Sequence, residues 1–576
     1  MAPTTAALVA AAAGALLAAV PAAGFLESAA TAELVMKGLA PRVAAHKAKI
    51  AAGAYLPTTV STPYGPVAGV GGSVVNQYLG IPYAAPPVGP LRWRPPQPPA
   101  VWTEPLNATW WAPGCIQSET TWTFYTGQNE SCLYLNIYAP ANATAGSNLP
   151  VMFFMHGGSW EFGSGSFLLY DGENVVNLVR DVIVVTINYR LNVFGFLAGD
   201  ALRAESSDGS VGNYGFQDQR AALSFVIDVI GAFGGDPNQI TMYGESAGGG
   251  STSDHLVAPR SAGMFQRAII ESGAWAEWSA QPCNISATRL PQVAAAAGCA
   301  AANDTLACLR ATDANAVYSA SKGVTSAFLT WSPVIDGVEL PDDPRALLAA
   351  GKVQPVPIIL GFNANEGTLF DSAPQDLNAS DYEAAIAARI GAALAPTIAA
   401  AYPPGAYASP WWAISAVMGD SQMVCPGKAA GAALTNPATR PGAPPVFVYY
   451  YTHVLWLIEY IVDLFKPLGC FHGSELVNVF DLNIILWGAG EPQLADTWVS
   501  YWTNFAATGN PNAAGLPRWT PYTSAAADLV AQIDTGAAGP NVTMVSGLKA
   551  TLCQLWGNIT IDPATIWGDP AAAATH

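Results

Sequence analysis

Along the middle of the chain, apolar residues fall in short unbroken runs rather than in strict alternation with polar ones. Six of these runs predict buried strands, at 150–155, 182–188, 240–243, 268–271, 357–361 and 446–451. A strand apolar on both sides is covered on both faces, which is the habit of parallel sheets flanked by helices. Longer stretches between them, such as 214–233 and 249–256, predict helices. Strand alternating with helix predicts an α/β fold with a mostly parallel central sheet, here carrying large insertions. In such sheets the loops at the carboxyl ends of the strands hold the chemistry.

The ends of the chain read differently. Residues 4–26 carry no charge and are rich in Ala, Leu and Val. That pattern predicts a signal peptide over residues 1–23, with small residues permitting cleavage as late as residue 32. The segment lacks the usual Lys or Arg at its start, so an uncleaved membrane anchor is the alternative. Residues 24–57 form an Ala-rich, helical lead-in, 58–565 a single domain, and 566–576 a disordered tail. The apolar run 446–465 contains His453, Glu459 and Asp463, and so reads as core rather than a membrane span.

Composition narrows the class. Of 576 residues, 51% are hydrophobic and 11% charged, which supplies a large core and excludes a disordered scaffold. A net charge of −18 repels phosphate backbones and excludes nucleic acid as a partner. The eight cysteines show no CxxC metal pattern, and an even number suits disulfides. Glycosylation sequons stand at Asn107, Asn129, Asn142, Asn284, Asn303, Asn378, Asn541 and Asn558. Signal, cysteines and sequons together predict a secreted glycoprotein.

The run 240–243 leads into Gly244-Glu245-Ser246-Ala247-Gly248 and then a helix. Gly-x-Ser-x-Gly between strand and helix is a nucleophile elbow, a tight turn that lifts the serine Oγ clear of the sheet. The helix N-terminus beyond it favours an anion. Serine needs a base, and the base an orienting acid, in the chain order Ser, acid, His. His453 and His472 follow Ser246 and the candidate acids. His453 lies among aromatic and aliphatic residues, where a satisfied core histidine is expected; His472 lies in a polar, Gly-flanked loop and is preferred as base. Glu366, just past the 357–361 strand, is the candidate acid, with Asp371 the alternative. Small residues in His156-Gly157-Gly158-Ser159-Trp160 suit an oxyanion hole, completed by the residue after the nucleophile.

From about residue 60 to 560 the chain resembles the type-B carboxylesterase/lipase family of the α/β-hydrolase superfamily. The likeness is carried by Gly80-Ile81-Pro82-Tyr83-Ala84, Cys132-Leu133-Tyr134-Leu135-Asn136, Gly212-Asn213-Tyr214-Gly215, Phe233-Gly234-Gly235-Asp236-Pro237, the elbow, and Trp502-Thr503-Asn504-Phe505-Ala506. The resemblance implies Ser246 as nucleophile, Glu366 as acid and His472 as base. It implies oxyanion donors at Gly158, Ser159 and Ala247, with Ser159 standing where the family usually has Gly. It implies the disulfides Cys115–Cys132, Cys299–Cys308 and Cys425–Cys553. Cys283 and Cys470 have no family counterpart, and a bridge between them would tether the loop of His472. Ser131 replaces a usual Asp before Cys132, which puts local packing in doubt. The Cys115–Cys132 loop is short beside those of cholinesterases and lid-bearing lipases, and Trp122 stands where cholinesterases bind choline. The expectation is a serine hydrolase of small-molecule or lipid esters, needing neither metal nor cofactor. Lipase and cholinesterase-like activities are the alternatives, and a neuroligin-like adhesion protein is the rival outside enzymes.

Overall fold

The computed structural model describes residues 56–559, apart from 119–122, 124, 325–328, 372, 457–467, 484, 487 and 537–538, together with residues 44, 46 and 48. The signal segment 1–23, most of the lead-in, Trp122, and the 560–576 end therefore lie outside the described residues. Residues 44, 46 and 48 are helical.

The strands are β1 (Leu56–Thr62), β2 (Gly65–Gly71), β3 (Val75–Pro82), β4 (Tyr134–Pro140), β5 (Leu149–Met155), β6 (Ile183–Ile187), β7 (Gly235–Glu245), β8 (Arg267–Glu271), β9 (Ile358–Asn363), β10 (Val446–Tyr451), β11 (Leu529–Gly536) and β12 (Gly539–Ser546). They lie in the order β1-β2-β3-β4-β6-β5-β7-β8-β9-β10-β11-β12. From β6 to β11 every pairing is parallel, while β1 to β4, the β4–β6 join and β12 are antiparallel. This is the α/β-hydrolase fold, and all six strands expected from the apolar runs lie in its parallel part.

Successive strand residues point to opposite faces, and in β5 both faces are buried. Val151, Phe153 and Met155 join one core with Ile183, Val185 and Met242. Met152 and Phe154 join the other with Val184, Tyr243, Ile269 and Ile359. Each fully buried Phe or Met side chain contributes about 1.5–3 kcal/mol. The helices that cover the faces are α1 (Tyr214–Val229), α2 (Ala247–Val257), α3 (Pro410–Gly419), α4 (Cys425–Leu434), α5 (Glu491–Thr508) and α6 (Ala550–Gly557). α1 sends Phe216, Leu223 and Val226 into the first core, and α5 sends Leu494, Trp498 and Trp502 into the second.

The three disulfides implied by the resemblance are formed. The bridge imagined between Cys283 and Cys470 is not, and both thiols are free. Each has a local partner instead: Arg203 donates to the Cys283 sulfur at 3.2 Å, and buried Cys470 donates to the Tyr451 carbonyl at 3.0 Å. Among the described residues no helix is long and apolar enough to cross a membrane. The run beginning at Val446 enters the sheet as β10.

Candidate active site

β7 ends at Glu245 and α2 begins at Ala247, so Ser246 is the whole of the turn between them. Its backbone sits at φ 57°, ψ −121°, a strained conformation costing on the order of 1–3 kcal/mol. The surroundings hold it there: Ser246 N–H donates to the Glu271 carbonyl at 2.9 Å, and Gly250 N–H donates to the Ser246 carbonyl at 2.8 Å. The Gly of the pentapeptide has a steric reason. A Cβ on Gly248 would lie 2.0 Å from the Met155 carbonyl oxygen at the end of β5.

That close approach sets the turn after β5 beside the elbow. Gly158, Ser159 and Trp160 all have left-handed φ, at 104°, 56° and 57°. The usual family Gly at position 159 thus has a backbone reason, and Ser159 keeps its N–H at a cost of about 1–2 kcal/mol. The turn is closed by Glu161 N–H and Phe162 N–H donating to the Gly158 carbonyl at 2.9 and 3.0 Å. Trp160 Nε1–H donates to Ser251 Oγ on α2 at 2.9 Å. Ala247 is buried at the first residue of α2.

The expected base and acid meet across two further strand ends. His472 Nδ1 lies 2.6 Å from Glu366 Oε2; with a carboxylate there, Nδ1 carries the proton and donates. The other Glu366 oxygen accepts from Asn363 N–H and Ser272 Oγ–H, each at 2.6 Å. The two loops are sewn together by Asn365 N–H to the Cys470 carbonyl at 2.9 Å and Cys470 N–H to Asn365 Oδ1 at 3.0 Å. The Phe370 ring packs 4.8 Å from the imidazole.

The alternatives are committed elsewhere. Asp371 is held by Arg389 at 2.7 Å and Ser415 at 3.2 Å. His453 is a satisfied, largely buried histidine as expected, but its partners are carboxylates. It lies between Asp534 and Glu491, at 3.2 and 3.1 Å. Burial opposes its charge, but hydrogen bonds to those two carboxylates lift its pKa to about 9. Its partners are distant in sequence, so the local pattern could not reveal them. His156 stacks on Tyr189, and burial lowers it to about 4. His255 is satisfied by Ser261 and Gln219 and stacks on Phe216.

Three carboxyls around the site were not foreseen. Glu245 Oε1 lies 3.1 Å from His472 Nε2, an ionic contact outside hydrogen-bond alignment. Glu475 is joined to Asn363 Nδ2, and Glu271 accepts from Trp502 Nε1 at 2.8 Å. Burial pushes the pKa of all three upward. His472 responds in kind: burial alone would lower it, but Glu245, then Glu366 and Glu475, hold it up at about 9. The imidazole is thus clasped between two carboxyls, and it keeps its proton more strongly than a free histidine. Glu245 lay inside the pentapeptide itself and Glu475 three residues past His472, so their spacing was visible even though their role was not. Beside the Ser131 departure, Arg92 donates to Glu130 at 2.5 and 2.8 Å. Among the described residues no group of His, Cys, Asp and Glu is placed to hold a metal ion.

A strained serine at a strand–helix turn and a carboxylate-bound histidine stand at adjoining strand ends of an α/β-hydrolase fold. The carboxylesterase family pattern matches residues 57–556, so the chain belongs to that family and is a carboxylic ester hydrolase. It is similar to the cocaine esterase of Homo sapiens, 35% identical over 480 residues, covering 77% of this chain and 81% of that protein. It is also similar to the para-nitrobenzyl esterase of Bacillus subtilis (strain 168), 34% identical over 481 residues, covering 80% and 92%. A solved PNB esterase structure superposes with TM-score 0.73 at 31% identity, covering 87% of this chain and 99% of that one.

Proposed function

We propose that the protein is a secreted serine esterase that works through an acyl-enzyme, with Ser246 as nucleophile, His472 as base and Glu366 as the acid that orients it. The observation that carries this reading is the 2.6 Å contact of His472 Nδ1 with Glu366, the imidazole's other nitrogen lying 3.1 Å from Glu245, the residue before the strained Ser246. Neutral His472 takes the Oγ proton at Nε2 as Oγ bonds to the substrate carbonyl carbon. The N–H groups of Gly158, Ser159 and Ala247 receive the oxyanion, each donor contributing about 10²–10³ in rate. The tetrahedral intermediate collapses, the alkoxide leaves with the proton from His472, and the acyl group stays on Ser246. Water repeats the sequence and releases the acid. No step asks for a metal or cofactor.

Export and glycosylation belong to the same proposal. All eight sequon asparagines are exposed, as acceptors of a bulky glycan must be, and three disulfides suit an oxidising compartment. The substrate class is a small-molecule carboxylic ester, as the names of the cocaine and para-nitrobenzyl esterases it resembles suggest. Ser246→Ala tested on a short p-nitrophenyl ester decides the mechanism. A fall of about 10³-fold or more in kcat with unchanged thermal stability is expected. Undiminished hydrolysis would remove Ser246 from the reaction.

A further inference from the structure

His46 lies ahead of the residues that match the family, yet it is buried to 7% exposure against the body of the protein. Its ring sits 4.9 Å from the Trp111 ring and 5.6 Å from the Trp110 ring. Its Nε2 lies 3.4 Å from the Thr109 carbonyl. Trp110, Trp111 and Tyr125 pack edge to face with one another at 5.2 to 6.4 Å, forming one aromatic surface. Trp111 is anchored beneath by its Nε1–H to Tyr138 Oη at 3.2 Å. Such edge-on aromatic arrangements add to the plain burial of area.

This surface flanks and enters the loop closed by Cys115–Cys132, and that loop grips the turn after β5. Gln117 donates from Nε2 to the Gly163 carbonyl at 2.9 Å and accepts from Gly163 N–H at 2.8 Å. The same Gln117 is tied back to Gln128 and to the Cys115 carbonyl. Asn192 adds a second link, donating to the Ile116 carbonyl at 2.7 Å and to the Glu161 carbonyl at 3.4 Å. The aromatic surface, through Tyr125, and the turn that contains Gly158 and Ser159, through Gln117, thus both meet the one loop closed by Cys115–Cys132.

We propose that the Trp110–Trp111–Tyr125 face is a docking surface for the chain's own N-terminal lead-in, anchored by His46, and that the docked lead-in steadies the turn carrying Gly158 and Ser159. The first half stands on the contacts alone; the second rests on the reading of those two residues as oxyanion donors. It follows that a cut between His46 and β1 lowers activity without touching the catalytic groups.

The test compares the full secreted chain with His46→Ala and with a chain beginning at Ala54, each with and without a synthetic peptide of residues 33–57. Amide hydrogen exchange over residues 105–132 is read by mass spectrometry, and kcat and KM are read with p-nitrophenyl acetate. Exchange about tenfold faster in both variants is expected, reversed in the shortened chain by the peptide but not by the same peptide carrying His46→Ala. A several-fold loss of kcat at unchanged KM should appear and be rescued in parallel. Unchanged exchange in both variants overturns the docking. Faster exchange with unaltered kcat overturns the link to the turn. A full chain that hydrolyses no ester overturns the active-site reading instead, while the exchange measurement still judges the docking.

Discussion

Replacing Glu245 by Gln removes one of the two carboxyls that clasp His472 while leaving the shape of the site intact. Two unit charges 3.1 Å apart attract by about 5 kcal/mol at an effective dielectric of about 20. The realised effect is smaller, because burial pushes the Glu245 carboxyl itself upward and so leaves it only partly ionised near neutrality. A neighbouring carboxylate ordinarily moves a pKa by about 1–3. With Glu245 present, His472 is held at about 9; with Gln there, its pKa should fall by that amount. In the proposed mechanism hydrolysis needs a neutral His472 imidazole, so activity should rise with pH through its pKa. The acidic limb of kcat/KM should therefore move to lower pH in Glu245→Gln. A pH-stat assay on a short ester avoids the changing absorbance of nitrophenol. A limb that stays in place, or moves upward, in an active Glu245→Gln enzyme would refute the electrostatic account of His472.

Three further outcomes are expected. Gly248→Ala puts a methyl group 2.0 Å from the Met155 carbonyl oxygen, so urea unfolding should show a loss of about 1–3 kcal/mol and kcat a fall of about 10²-fold; near-normal kcat would mean the elbow tolerates the shift. His453, raised to about 9 from an ordinary value of about 6.5, stabilises the fold fully below about pH 6.5 and loses that contribution as pH climbs through 9. The stability difference between wild type and His453→Ala should accordingly shrink over that window, and a difference independent of pH would sink the argument. The Cys425–Cys553 bridge spans 128 residues and joins α4 to α6, so Cys425→Ser with Cys553→Ser should cost about 2–5 kcal/mol by denaturant titration. A loss under about 1 kcal/mol would show that the helices hold together without it.

The clasp on His472 also bears on why the site is built at strand ends. Glu245, Glu271, Asn363 and Tyr451 close four neighbouring strands of the parallel sheet, β7, β8, β9 and β10. Adjacent parallel strands end side by side, so residues 118 positions apart in the chain, such as Glu245 and Asn363, come within one small volume. Glu366 and His472 extend from two of these ends on short loops. A buried carboxyl there is costly unless it finds a donor; Asn363, Ser272 and Trp502 supply donors to Glu366, Glu475 and Glu271, while Glu245 has its ionic contact with His472.

Local pattern alone determined the parts of this protein whose cause is local. Unbroken apolar runs named the parallel strands, because a strand covered on both faces has no polar side to show. Gly-x-Ser-x-Gly between strand and helix named Ser246, because only small residues permit the approach that Gly248 makes to Met155. Loop character and chain order favoured His472 and Glu366 over His453 and Asp371. Tertiary structure alone decided whatever depends on partners distant in sequence. It gave His453 two carboxylates from residues 491 and 534, left Cys283 and Cys470 apart as free thiols, and turned Glu245 from a filler of the pentapeptide into a contact of the imidazole. The physical reason is that charge and hydrogen bonding act through space. A sequence shows which residues are able to interact, and only the packing of strand ends determines which of them meet.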